Sequence, residues 1–584
     1  MTVFDVLALV GGLCLFLFGM DIMGDGLKRR AGNSLKNLLG KLTNSKLKGF
    51  LTGMGVTAVI QSSSATTVMV VGFVNSKVMT LKQSIGVIMG ANVGTTITAW
   101  ILSLGGISSD NFILKFLKPT SFTPILALVG IAYTMFAKSS KKKDTGTILL
   151  GFATLMFGMD AMSDAVAGLA DSEAFRNLFI LFKNPILGVL VGAVLTAIIQ
   201  SSSASVGILQ AMSATGLIPY SAAIPIIMGQ NIGTCVTALL ASFGTSKNAK
   251  RAASIHLSFN IIGTVVWLTV FSLGSMIFKP AILDSSASYL GIAVINTIYK
   301  VLCVALLWPL TGLLEKIAYT VIKGSDENEN ENKVKLDDLL LDTPAIAIEQ
   351  ANEIAVKMAK EAVEGFKLSF KVAEEYSEDL ANKIRKIENN TDYYEDILGT
   401  YLTKVSRNQV TEDDSSEISK LLKVIGDFER ISDHSVNVLE SVEELREKGI
   451  EFSSKAKEEL GVLCSALSEI LDITLEAFEK NDVEVASNVE PLEQVIDNLK
   501  TILRDRHVVR LKGGDCTVEA GFIWSDLLTN MERTSDHCSN IAVCVIDAER
   551  HDMNAHESLK SIKESSEEFD DKFTAYSKKY SVTC

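Results

Sequence analysis

Two short polar runs interrupt stretches that are otherwise apolar enough for a bilayer. They are Gln61-Ser62-Ser63-Ser64-Ala65-Thr66-Thr67 within 49–75 and Gln200-Ser201-Ser202-Ser203-Ala204-Ser205 within 186–214. Hydroxyl and amide side chains at membrane depth are tolerable only where they pair internally or line a watery cavity. A helix broken at such a run exposes backbone N–H groups at the start of its second arm, and these, with the helix dipole, favour an anion to which the hydroxyls also donate. Carbonyls freed at the end of the first arm, joined by Gln, Asn and Ser oxygens, are suitable hard ligands for Na+. The pattern suits an anion and a cation side by side. Each run is followed, 31 residues after its Gln, by an Asn-x-Gly-Thr element, Asn92 to Thr95 and Asn231 to Thr234.

The elements that must position these runs are duplicated. Phe18-Gly19-Met20-Asp21 recurs as Phe157-Gly158-Met159-Asp160, the Gln-Ser-Ser-Ser-Ala run recurs, and Asn92-Val93-Gly94-Thr95 recurs as Asn231-Ile232-Gly233-Thr234, always at an offset of 139 residues. Uninterrupted apolar stretches of bilayer length fall near 3–23, 83–103, 121–137, 146–166, 222–243, 253–278 and 289–315. With the two Gln-Ser segments taken as re-entrant hairpins and the N-terminus outside, loops 24–48, 76–82, 138–145 and 244–252 fall inside and carry 16 Lys and Arg. The outside loops carry only Lys115, Lys118, Arg176, Lys183 and Lys279, as the positive-inside rule requires. Three spans separate equivalent points, so the copies, about 3–138 and 146–278, are expected to be inverted, with 289–315 as a last span. One hairpin then enters from each side and the polar tips meet near the midplane, the architecture of a secondary transporter. Asp21, Asp25, Asp160 and Asp164 sit at span ends and read as structural or gating residues. Lys300, near the middle of the last span, is a functional candidate because a charge inside a membrane is expensive.

The chain of 584 residues joins two unlike halves: up to Lys323 it holds 24 Lys and Arg against 11 Asp and Glu, and beyond it 31 against 57. The first is expected in the cytoplasmic membrane, against lipid, and the acidic second half in the cytoplasm, with no charge bias towards nucleic acid. The eight cysteines form no CxxC pair and read as reduced thiols.

The paired Gln-Ser-Ser-Ser-Ala runs, each followed by Gly-x-Asn-x-Gly-Thr (Gly90 to Thr95, Gly229 to Thr234), resemble the type II sodium/phosphate cotransporter family, as does Arg251 to Asn260 with His256 and Phe259-Asn260. The resemblance covers about residues 3–320. It implies Na+-coupled movement of inorganic phosphate by alternating access. It also implies that Gln61, Ser62, Ser63, Ser64, Thr66, Asn92, Gln200, Ser201, Ser202, Ser203 and Asn231 surround substrate and ions, with Thr95 and Thr234 closing the same motifs. The second run reads Ala-Ser-Val206 where the first reads Ala-Thr-Thr, one hydroxyl fewer.

After a charged linker, 324–343, the chain from 344 to 584 is nearly free of proline, and Leu, Ile and Val recur at three- and four-residue spacings, which predicts helical bundles. Glu388 and Asp392, Glu429 and Asp433, Glu493 and Asp497, and Glu532 and Asp536 are each spaced by four, which puts both carboxylates on one helical face. Two facing pairs would offer four carboxylates to Mg2+, Mn2+ or iron, and His434 and His537 extend the choice to Zn2+. The Glu-Arg-x-Ser-Asp-His motifs at 429–434 and 532–537 resemble the PhoU family, a resemblance covering about 345–580 that implies two three-helix bundles, multinuclear metal clusters and regulation of phosphate uptake.

The sequence thus predicts an all-α, polytopic membrane protein with inverted repeats, re-entrant hairpins and PhoU-like bundles. Its expected activity is Na+-coupled phosphate transport. The alternatives are phosphate export, carriage of another small anion, or a membrane-anchored signalling receptor with a cytoplasmic partner. Homodimerisation is expected from the habit of inverted-repeat carriers. No GxxxxGK[ST] loop and no local nucleophile motif supports an enzyme.

Overall fold

The computed structural model describes residues 3–40, 45–75, 78–106, 119–167, 184–324, 336–341, 343–408, 410–550 and 567–582. Lys115, Lys118, Arg176, Lys183 and most of the linker lie outside these residues. The chain divides into two compact units, Met1–Ala345 and Ile346–Cys584.

The first unit contains helices α1 (Val3–Gly40), α2 (Lys46–Ile60), α3 (Ser63–Asn75), α4 (Leu81–Gly94), α5 (Thr96–Ser103), α6 (Pro119–Phe136) and α7 (Ser140–Ala167). It continues through α8 (Pro185–Ile199), α9 (Ser202–Ser213), α10 (Tyr220–Gly233), α11 (Cys235–Ala241), α12 (Lys247–Phe278), α13 (Tyr289–Leu307) and α14 (Thr311–Val321). Among the described residues, six segments are long and apolar enough to cross a membrane: Phe4–Ala31, Leu81–Gly106, Ser140–Val166, Tyr220–Ala241, Lys247–Phe278 and Tyr289–Leu307. Phe4, Leu7, Ile186, Ile198, Met276 and Phe278 face outwards, as lipid contact requires. The apolar stretches of the sequence predict seven spans. The segment expected over 121–137 is a shorter apolar helix, Ser121–Phe136. The last span does not run to 315 either, because Pro309 cannot continue the ladder and α13 stops at Leu307.

Small residues bring the duplicated elements into backbone contact. α1 and α7, the first helices of the two copies, run antiparallel: Gly12 lies against Gly158 and Gly19 against Gly151. The 139-residue offset carries one of these contacts onto the other. α2 packs on α4 as α8 packs on α10. A Cβ on Gly90 would lie 2.0 Å from the Phe50 carbonyl oxygen, and one on the equivalent Gly229 would lie 2.0 Å from that of Val189. Only glycine permits that approach.

Where the first unit ends, the chain is pinned twice. Arg251 on α12 donates to the Ile322 carbonyl and stacks on Tyr319. Within the linker's described end a single 3-10 turn, Asp338–Leu340, packs on the end of α3, with Leu340 fully buried against Gly72. Asn75 donates to the Asp337 carboxylate at 2.9 Å and accepts from the Ser246 amide, which begins the cap of α12.

The second unit holds α15 (Pro344–Glu374), α16 (Glu378–Ser406), α17 (Glu412–Glu447), α18 (Ser454–Lys480), the short α19 (Val483–Ala486), α20 (Val489–Gly513), α21 (Val518–Arg550) and α22 (Glu567–Lys579). Leu368, Ile384 and Leu439 pack α15, α16 and α17 into one bundle. α18, α20 and α21 pack into a second, its core carrying Leu467, Ile496, Leu503, Trp524 and Met531.

Candidate functional site

Both Gln-Ser runs break their helix at the Gln. Gln61 ends α2 with φ 59° and Gln200 ends α8 with φ 58°, both in the left-handed region that non-glycine residues seldom occupy. Each Gln amide N–H still reaches back to a threonine carbonyl, Thr57 at 2.8 Å and Thr196 at 2.7 Å. One residue later the second arm begins, capped alike in both copies: Ser62 accepts from the Ala65 N–H and Ser201 from the Ala204 N–H, each at 3.2 Å. Strain held at matching positions of two copies is the kind that persists where function requires it.

The two runs meet. The Ser64 hydroxyl donates to the Gln200 carbonyl at 3.4 Å. Gln61, Ser63, Ser64, Thr66, Ser202 and Ser203 are buried, Ser62 and Ser201 are half-buried, and Gln200 is exposed. Asn92 and Asn231 are buried and each turns its amide back to a carbonyl of its own helix, Ile88 and Ile227. Thr95 and Thr234 stand where α4 gives way to α5 and α10 to α11, so the second motif of each copy is also a helix junction.

Several partners of these residues were missed by the sequence reading. The Gln61 side chain accepts from the Thr98 hydroxyl at 2.8 Å and donates to the Ala58 carbonyl. The Thr57 and Thr66 hydroxyls are 3.0 Å apart. At the same offset stand Thr237, Thr196 and Ser205, whose hydroxyl oxygens are buried with no hydrogen-bond partner among the described residues. The 139-residue offset applied to every polar residue, rather than to the motifs alone, would have found them. Lys300 donates to the Thr95 hydroxyl at the first junction. Asp25 is tied to Lys28 at 3.0 Å, in keeping with a structural role.

In the second unit Glu388, Asp392, Glu429 and Asp433 form one group of carboxylates, and Asp497, Glu532 and Asp536 form another. Glu388 and Asp392 on α16 come within electrostatic reach of Asp433 on α17. Burial pushes the Glu429 carboxyl up to about 7, reinforced by Asp433, and burial also raises Asp433. In the other group Lys500 pairs with Glu532 at 2.7 Å, while burial and Glu532 raise Asp536. Among the described residues, no three His, Cys, Asp or Glu side chains are arranged to hold a metal ion. The expected iron, Mn2+, Mg2+ or Zn2+ sites thus find no support among the described residues: Glu429 and Asp433 share a hydrogen bond, and Lys500 is paired with Glu532. The two histidines form a crossed pair instead. His434 Nδ1 meets Asn530 at 3.0 Å, His537 Nδ1 meets Asp427 at 2.8 Å, and the rings stack 5.6 Å apart. Burial holds His434 down at about 4, so it is neutral at physiological pH.

The Na+/Pi-cotransporter family model matches residues 15–164 and 155–297, and the PhoU domain model matches 355–442 and 462–545. An uncharacterised Bacillus subtilis protein, YqeW, is 30% identical over 311 residues, 53% of this chain and 96% of its own length. The chain belongs to the Na+/Pi-cotransporter family. A Salmonella typhimurium protein named as a candidate inorganic phosphate export protein, YjbB, is 25% identical over 93% of this chain and 97% of its own length. The sodium-dependent phosphate transport protein 2A of Rattus norvegicus is 37% identical over 131 residues, 21% of this chain and 20% of its own. The chain is thus a membrane protein of a phosphate-transporter family that carries PhoU domains. The seven described cysteines are all unpaired.

Proposed function

We propose that this protein moves inorganic phosphate across the cytoplasmic membrane by a secondary mechanism coupled to Na+, with the two Gln-Ser breaks as the site and the PhoU half as its regulator in the cytoplasm. The observation that carries this reading is the bond from Ser64 of one break to the Gln200 carbonyl of the other. Two strained, hydroxyl-rich breaks from duplicated halves converge, and hydroxyls with helix N-termini suit an oxyanion while freed carbonyls suit Na+. The antiparallel packing of α1 on α7 supports inverted copies, and inversion supports one re-entrant hairpin from each side. In this reading Gln61, Ser62, Ser63, Ser64, Thr66, Asn92, Thr95 and their counterparts Gln200, Ser201, Ser202, Ser203, Asn231 and Thr234 line the path. Export is the second reading, favoured by the named role of the relative matched over nearly its whole length.

Regulation has a route. The turn Asp338–Leu340, clamped on α3, the second arm of the first hairpin, by Gly72 and Asn75, is joined to the start of α15 by four residues, a covalent route from one unit to the other.

The test is radiolabelled phosphate flux in proteoliposomes under Na+ gradients of either direction, comparing wild type with Gln61→Ala, Ser203→Ala and a chain ending at Lys323. Na+-dependent flux lost in both point variants is expected, and its sign gives the direction. Wild-type protein that moves no phosphate under either gradient sinks the reading. Flux that persists unregulated in the truncated chain, and in Leu340→Ala, is the expected signature of a brake.

A further inference from the structure

Lys300 sits mid-way along α13 with 5% of its surface exposed. Its ammonium donates to the Thr95 hydroxyl, which donates in turn to the Asn92 carbonyl at 2.7 Å. The charge is therefore seated on the α4–α5 junction, and among the described residues no carboxylate forms an ion pair with it. An ammonium has three N–H donors, and a buried charge without a counter-charge is costly.

Its surroundings are unpaired in a particular way. Asn296, one turn earlier on the same face of α13, is 2% exposed and its Oδ1 has no partner among the described residues. His256 on α12, close enough to Lys300 to interact with it electrostatically, is 1% exposed, and among the described residues neither of its ring nitrogens has a partner. One turn beyond His256, Asn260 donates to the sulfur of Cys235, the first residue of α11. The two helices α12 and α13 thus reach both Asn-x-Gly-Thr junctions. Burying an amide oxygen and two imidazole nitrogens without partners is expensive unless something supplies them.

We propose that Lys300, His256 and Asn296 form an anion station beside the first junction that selects a partly protonated oxyanion. The proposal rests on the phosphate reading above and specifies which form of the anion is recognised. Lys300 and the protonated imidazole nitrogen donate to the anion's oxygens, while Asn296 Oδ1 and the second imidazole nitrogen accept its O–H groups. Hydrogen phosphate and dihydrogen phosphate supply both kinds of group. Sulfate has no O–H at neutral pH and leaves the buried acceptors unpaired, the situation in which a site discriminates most strongly. In its protonated form Lys300 also repels Na+ from this corner and leaves the cation to the carbonyls of the hairpin breaks.

The test uses the full chain in proteoliposomes and measures phosphate half-saturation, Na+ half-saturation, and inhibition of flux by excess sulfate. Lys300→Met should raise phosphate half-saturation about tenfold or more, as loss of a charge-assisted hydrogen bond predicts, with Na+ half-saturation unchanged. Lys300→Arg should recover most of it. Asn296→Leu should let sulfate compete about tenfold better, which a purely structural residue would not do. Wild-type phosphate affinity in a correctly folded Lys300→Met, or unchanged sulfate discrimination in Asn296→Leu, overturns the station. The second criterion decides alone if Lys300→Met does not fold. Wild-type protein that moves no phosphate would instead sink the parent reading.

Discussion

In the first copy of the repeat Gln61 meets Thr98, and Thr57 meets Thr66; in the second, among the described residues, Gln200 makes no matching bond, and Thr237, Thr196 and Ser205 keep buried hydroxyls without partners. The backbones do not share this difference. Both Gln residues have φ within a degree of each other, and Gly53 and Gly192 each would place a Cβ 2.1 Å from the facing carbonyl oxygen, of Val87 and Ile226. One frame is thus built twice and holds two side-chain states. A buried hydroxyl left unpaired costs about 1–3 kcal/mol, so the second copy is the one primed to take up a ligand, water or new partners. If the copies exchange states during transport, the bonds made in one and unmade in the other are what changes hands.

The largest effects should fall on the shared frame. Gly90→Ala and Gly229→Ala both place a Cβ 2.0 Å from a backbone oxygen, and neither carbonyl can move without parting the helices. Each should cost about 3 kcal/mol or more and sharply lower the yield of monodisperse protein. Loss in one variant and not the other would show that the frames are not equivalent.

Smaller effects should separate the copies. Thr98→Val strands the buried Gln61 amide and should lower thermal stability by about 1–2 kcal/mol, whereas Thr237→Val removes an orphaned hydroxyl and should leave stability unchanged or raised. Thr57→Val and Thr196→Val should repeat that contrast at about 1 kcal/mol. Equal destabilisation within either pair would mean that the second copy makes its bonds as the first does.

Much of this was legible in the sequence because duplication is visible wherever a motif is unusual. Gln-Ser-Ser-Ser-Ala twice at one offset located both breaks, and three- and four-residue apolar spacing located the bundles. Thr98 and Thr237 escaped because one threonine on an apolar helix has no signature until its partner is known. The metal faces find no support for a related reason: spacing by four places Glu532 and Asp536 on one face of α21, but the pairing of Lys500 with Glu532 is decided by packing between helices. The crossed pairs His434 with Asn530 and His537 with Asp427 depend on the same interhelical register, although an offset of 103 residues carries His434 onto His537 and Asp427 onto Asn530.

That offset sets a second comparison, with the smallest expected effect. Glu429 in the first motif is raised to about 7 by burial and by Asp433, while Glu532 in the second is paired with Lys500. A carboxyl whose folded pKa exceeds its unfolded value binds more protons folded than unfolded, so stability falls as pH rises through the window from about 4.5 to about 7. Above that window the folded state bears the full penalty. Glu429→Gln should therefore raise the melting temperature of the full chain at pH 8 and do little at pH 5, whereas Glu532→Gln, which releases Lys500, should lower it at both. Because Glu429 is partly open to water, the gain should be only about 1–2 °C. A gain from Glu429→Gln that is as large at pH 5 as at pH 8 would locate its origin in packing, and the two motifs would then differ in shape and not in charge.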